Sequence, residues 1–137
     1  MDTKSCVELN FTSETGKVRE VVQRILNFID QYNPAKDVRS DLRLVFSELL
    51  YNAVIHGNDN NPEKKVGVRV EVVGTVVCAQ VRDEGTGFNY KQAIKTAKSE
   101  EALLYEHNRG IILVSSLTDR LSYNKAGNVI KFEKRLK

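Results

Sequence analysis

Val7, Leu9 and Phe11 alternate with polar neighbours at the two-residue period of a strand with one buried face. Thr12-Ser13-Glu14-Thr15 follows with side chains that cap helices. From residue 16 to about residue 30 the period changes: Val18, Val21, Val22, Ile25, Leu26 and Ile29 recur at helical spacing, and Asn33-Pro34 ends the run. A second helical stripe fills residues 35–56, with Val38, Leu42, Val45, Phe46, Leu49, Leu50, Ala53 and Val54 on its apolar side. Gly57-Asn58-Asp59-Asn60-Asn61-Pro62 predicts a loop after it. Residues 66–73 and 76–82 are β-branched runs joined at Gly74-Thr75, a hairpin whose second strand delivers Asp83 at its end.

The second half is less regular. Residues 90–104 are polar and small, which predicts a mobile connection with short helical pieces, the centre of a lid over about residues 89–108. Residues 110–117 begin another apolar helix, and residues 121–123 and 129–136 read as a closing hairpin turned at Lys125-Ala126-Gly127-Asn128. Strands at the start, centre and end with helices between predict an α/β (α+β) two-layer sandwich, in which one mixed, mainly antiparallel sheet is covered on one face by helices. The other face is left for a partner.

At 137 residues, 41% hydrophobic and 28% charged, the sequence suits a single domain spanning residues 1–137 that buries its own core. The net charge of +3 is a weak excess, gathered in Lys131, Lys134, Arg135 and Lys137. That reads as a solvated strand edge rather than a nucleic-acid surface, so no direct nucleic-acid partner is expected. Cys6 and Cys78 form no CxxC pair and lie in apolar runs, which predicts reduced, buried thiols. The first residues lack the apolar stretch of a signal peptide, and the uncharged run 72–81 is too short to span a bilayer; a cytoplasmic protein without membrane contact is expected.

Three segments carry chemistry. Glu48 and Asn52, four apart on the second helix, share a face with Cβ atoms roughly 5–6 Å apart, and His56 continues the stripe. An amide oxygen is a hard ligand suited to Mg²⁺, and a carboxylate one turn away can take a proton from an attacking hydroxyl. Taken alone the pair also fits a solvated polar stripe, but Leu49, Leu50, Ala53, Val54 and Ile55 around it argue for a largely buried helix. In Asp83-Glu84-Gly85-Thr86-Gly87-Phe88 a strand ends in an acid followed by two spaced glycines and an aromatic ring. An exposed turn would read the same way. As a site, Asp83 accepts a hydrogen bond from an exocyclic amine such as that of adenine, while Gly85 and Gly87 permit close backbone approach. Asn108-Arg109-Gly110 stands before the apolar helix, where free N–H groups and the helix dipole attract phosphate. The order and spacing of the three together point to ATP.

This combination resembles the nucleotide-binding domain shared by gyrase, heat-shock chaperones, histidine kinases and mismatch-repair ATPases. Within that superfamily, DLRLVFSELLYNAVIHGN from Asp41 is similar to the helix of the small anti-sigma-factor serine kinases of bacterial stress and sporulation switches. The resemblance covers nearly the whole chain and implies the histidine kinase-like ATPase fold, with ATP and Mg²⁺ between helices and sheet. It makes Glu48 the catalytic base, Asn52 the Mg²⁺ ligand, and Asp83 with Gly85, Gly87 and Phe88 the adenine end. His56 joins them as a nucleotide-binding position, and Arg109 and Gly110 match the segment that meets the phosphates. It also implies a homodimer that holds a sigma factor inactive and phosphorylates a serine of an anti-anti-sigma partner. A nucleotide-sensing binding module without useful transfer is the alternative. Three positions depart from the family pattern: Asn108 where glycine is frequent, Tyr51 beside Asn52, and Asn128-Val129 where threonine is common.

Overall fold

The computed structural model describes residues 4–85 and 106–137. In chain order it contains β1 (Lys4–Thr12), a 3₁₀ turn (Thr15–Lys17), α1 (Val18–Asp30), α2 (Lys36–Asn52) and a π-turn (Ala53–Gly57). There follow β2 (Lys65–Val73), β3 (Val76–Arg82), α3 (Glu106–Leu117), β4 (Arg120–Tyr123) and β5 (Val129–Arg135). The expected lid lies outside the described residues apart from 106–108, which belong to α3.

The five strands form one sheet in the order β1-β2-β3-β5-β4, and each of these pairings is antiparallel. Alternation along the strands decides which face takes the helices. Val66, Val68, Val70 and Val72 of β2, Val77, Ala79 and Val81 of β3, and Ile130 and Phe132 of β5 are all buried. Successive strand side chains point to opposite faces, so these residues build one continuous apolar surface. Against it lie the apolar stripes of α1 (Val18, Val22, Ile25, Leu26, Ile29) and α2 (Leu42, Val45, Phe46, Leu49, Leu50). Phe46 meets Phe132 edge to face with ring centroids 5.1 Å apart, which ties α2 to β5. The expected two-layer α+β sandwich is therefore the observed one.

The turns follow from side-chain chemistry. Gly74 takes φ +62° between β2 and β3, a conformation that glycine adopts without steric cost. Between β4 and β5 the Asn124 Oδ1 accepts hydrogen bonds from the N–H groups of Gly127, Asn128 and Val129 at 2.8, 3.0 and 3.1 Å. One amide oxygen thus organises the whole reversal.

The uncovered face carries the alternate residues, and two expectations change there. Cys6, Glu71, Cys78, Glu133 and Arg120 face one another in register across the sheet. Cys6 is exposed and Cys78 half-buried, so the thiols are not core residues as expected. The inward register is taken by Val7, Leu9 and Phe11 on β1 and by Val77 and Ala79 on β3, and a period of two leaves Cys6 and Cys78 on the outer face. Burial, with the nearby carboxylates of Glu133 and Glu71, pushes the Cys78 thiol up. The basic end of the chain is likewise not a sheet edge: β5 is flanked by β3 and β4. Of its lysines, Lys134 is mostly buried, reaching the Leu117 carbonyl and lying 3.5 Å from Asp41, so it fastens β5 to the start of α2 and the end of α3.

Candidate functional site

α2 places Glu48 and Asn52 one turn apart, both half-buried at the border between its packed and outward faces. α3 crosses α2 at this level. A Cβ added to the buried Gly110 would sit 2.3 Å from Oε2 of Glu48, so the absence of a side chain at Gly110 gives the carboxylate its place. The clash involves only the far end of a flexible side chain. Gly110→Ala is therefore expected to fold with stability unchanged or raised by up to about 1 kcal/mol through helix propensity, while displacing the Glu48 carboxylate. Thermal melts check the first effect, with melting at or above the parent temperature expected; were the carboxylate catalytic, its misplacement would cost at least tenfold in rate.

The relation of Gly110 to its helix differs from the expectation. α3 already runs from Glu106, so Gly110 lies inside it rather than at its start. The groups without an intrahelical partner are the first four N–H groups of a helix. Counted from the capping residue, Arg109, the fourth residue of α3, lies past the N–H groups left open at its start, and Gly110 serves by its closeness to Glu48 instead. The first four helical residues, Glu106 to Arg109, are polar and show no apolar period that would have revealed the start.

α2 does not simply end. The Asn58 N–H donates to the Ala53 carbonyl at 2.8 Å, five residues back, which widens the last turn. His56 falls in this turn and is exposed, so the four-residue spacing of Glu48 and Asn52 does not carry through it. The turn brings Gly57 against the end of β3. A Cβ on Gly57 would lie 2.3 Å from Cγ of Asp83, and one on Gly85 would lie 1.8 Å from the Gly57 carbonyl oxygen. Two glycines on separate elements therefore interlock around one acid.

Asp83 is 6% exposed. Its N–H donates to the Asn128 carbonyl at 3.0 Å, extending the β3–β5 ladder by one bond, and its Oδ1 accepts the Gly85 N–H at 2.8 Å. Burial pushes the carboxyl up from its ordinary value; the Gly85 N–H and the charge of Lys64 oppose that shift without cancelling it. Only the ionised form is a pure acceptor. Affinity for an amine-bearing base is therefore expected to fall as pH drops through this raised value, by up to about tenfold per unit. The apo protein responds in the opposite sense. A carboxyl raised in the folded state makes the unfolded chain the better acid, so its contribution to stability is complete below the unfolded value and is lost as pH rises through the folded one. ATP titrations and thermal melts across that window check both signs.

Gly87 and Phe88 lie outside the described residues, as does the side chain of Arg109. Sequence reasoning missed Gly57 and Asn58, which it placed in a solvent loop, and Asn128, whose carbonyl holds Asp83.

Residues 11–134 match the histidine kinase-like ATPase domain. The chain belongs to that family. Among its relatives, the anti-sigma F factor of Bacillus subtilis (strain 168) is 31% identical over 119 residues, covering 82% of this chain and 80% of its own. That of Geobacillus stearothermophilus is 32% identical over 119 residues, covering 84% and 80%. That of Bacillus licheniformis (strain ATCC 14580) is 26% identical over 137 residues, covering 97% and 94%. The family resemblance stated from the sequence is thus borne out at the level of the domain. Membership of the histidine kinase-like ATPases implies nucleotide binding. No helix among the described residues is long and apolar enough to cross a membrane.

Proposed function

We propose that this chain is an ATP-dependent anti-sigma factor that phosphorylates a serine of an anti-anti-sigma partner and otherwise sequesters a sigma factor, acting as a cytoplasmic homodimer. The supporting observation is a two-ended arrangement: Glu48 and Asn52 on α2 at one end, with Glu48 seated against Gly110, and the buried, glycine-enclosed Asp83 after β3 at the other. The names of the relatives supply the sigma-factor partner.

In this reading Asp83 takes the exocyclic amine of adenine, with Gly85, Gly87 and Phe88 around the base. Arg109 and the first N–H groups of α3 face the phosphates. Mg²⁺ commonly takes one or two protein ligands and completes its shell with phosphates and water. Asn52 would hold it, and the ion would neutralise charge on the phosphates. Glu48 is then the base. The serine oxygen attacks the γ-phosphorus, the bond to the β–γ bridging oxygen breaks, ADP leaves, and the hydroxyl proton passes to the Glu48 carboxylate. Most of the acceleration comes from positioning and charge neutralisation.

Labelled ATP with Mg²⁺ and candidate partners encoded near this gene tests the proposal. Phosphoserine on an anti-anti-sigma partner is the expected product. A protein that binds ATP yet labels none of the partners would defeat the kinase reading and leave a nucleotide-sensing binding module.

A further inference from the structure

Between α2 and the end of β3 lies a polar residue to which the reaction assigns nothing. Asn58 is fully buried, with 0% exposure. Its two amide hydrogens are both used, one on Ser13 Oγ at 2.7 Å and one on the Lys65 carbonyl at 2.9 Å. Its Oδ1 accepts the Glu84 N–H at 2.7 Å. Ser13, 1% exposed, in turn donates to the Lys64 carbonyl at 2.9 Å. Glu84 closes the loop by accepting the Lys65 N–H with its own carboxylate. One side chain thereby joins the end of β1, the start of β2, the π-turn and the peptide that follows Asp83.

We infer that Asn58 is a positioning residue for adenine recognition: by fixing the Glu84 peptide it holds the Asp83 carboxylate in the one orientation from which it can accept the exocyclic amine. The orientation of the Asn58 amide leaves no ambiguity about the direction of the contact, because a flipped amide would set its NH₂ against the Glu84 N–H and its oxygen against two acceptors. The Glu84 N–H belongs to the peptide whose carbonyl carbon is that of Asp83, and the next N–H, that of Gly85, bonds the Asp83 carboxylate. Rotation of that peptide would turn the carboxylate and undo the Gly85 bond. Below it Gly57 leaves no spare volume, so the only freedom to be restrained is this rotation. Buried networks in which each member is satisfied rigidify what they touch, and loss of one member frees the rest.

The inference rests on Asp83 reading the adenine amine, and the experiment tells the two apart. ATP and inosine triphosphate differ at the position of that amine, which is an oxygen in the latter. Dissociation constants for both, each with Mg²⁺, are measured on the parent protein, on Asn58→Ala and on Ser13→Ala, with thermal melts alongside. The parent protein should prefer ATP; equal affinities would overturn the adenine reading and the inference with it. With that preference in hand, Asn58→Ala should weaken ATP about tenfold, the size of one lost polar contact, and leave inosine triphosphate within about twofold. Parallel weakening of both nucleotides, or an unchanged ratio, would overturn the inference, since general loosening does not distinguish the bases. Should Asn58→Ala fail to fold, Ser13→Ala decides. It trims only the far arm of the network and should reduce the ratio about threefold, on the scale of partial network loss; an unchanged ratio in that folded variant would overturn it.

Discussion

Glu48→Gln loses phosphoryl transfer by about 10² to 10⁴-fold, the usual contribution of a positioned general base, while ATP affinity stays within about threefold. Glutamine keeps the length and planarity of the side chain and so still fills the space left beside Gly110. What it cannot do is accept a proton at neutral pH. Single-turnover transfer to the partner, read beside nucleotide titration of the same variant, checks the split. The variant also separates the two functional readings. If Glu48→Gln transferred at the parent rate, the carboxylate would not be the base. If transfer vanished while sigma-factor control persisted unchanged, catalysis would not be the point of the site.

The second large effect is at Gly85. Its alanine variant places a Cβ 1.8 Å from the carbonyl oxygen of Gly57, a backbone clash that no side-chain movement relieves. The end of β3 and the π-turn must part, carrying Asp83 away from Gly57 and stretching the Glu84 to Asn58 contact. Overpacking of this kind costs about 1–3 kcal/mol, which lowers Tm by roughly 3–10 °C in a domain of this size. The loss of nucleotide binding should be larger than that destabilisation explains, at least about a hundredfold, because the acid and the backbone beneath the base are displaced together. Calorimetric titration well below the lowered Tm makes the comparison. Retention of parent affinity in folded Gly85→Ala would show that the interlocked glycines do not shape the site.

How much of this was legible beforehand depended on whether burial imposed a period. α1 announced itself because Val18, Val21, Val22, Ile25, Leu26 and Ile29 are all core residues at helical spacing. The hairpin of β2 and β3 was equally plain, since each inward position is valine or alanine and the turn is marked by Gly74. The family motifs were legible as well, because Glu48, Asn52, Asp83 and Gly85 sit at element ends or on one helical face where spacing is fixed.

The rest lacked such a signal. A π-turn inserts one residue into a helix without altering which residues are apolar, so Ala53 and Val54 read as ordinary continuation and His56 as part of the stripe. Asn58 belongs to a run of glycine, asparagine, aspartate and proline whose composition is that of any surface turn. Its burial arises from Ser13, 45 positions away in sequence, which no local window contains. The thiols misled for a related reason: on β3, Val76, Val77, Cys78 and Ala79 are all apolar, and their two faces separate only once the sheet pairing is known. The start of α3 was hidden by Glu106, His107, Asn108 and Arg109, four polar residues that carry no apolar period.

Both large predictions and the role of Asn58 presuppose that the arrangement of Glu48, Asn52 and Asp83 holds a nucleotide. Calorimetric titration of the parent protein with ATP and Mg²⁺ tests this most directly. The account predicts saturable binding of one ATP per chain, with a dissociation constant in the micromolar range common for such substrates, weakened as pH falls through the raised value of Asp83. Absence of any binding at millimolar ATP near neutral pH would contradict it.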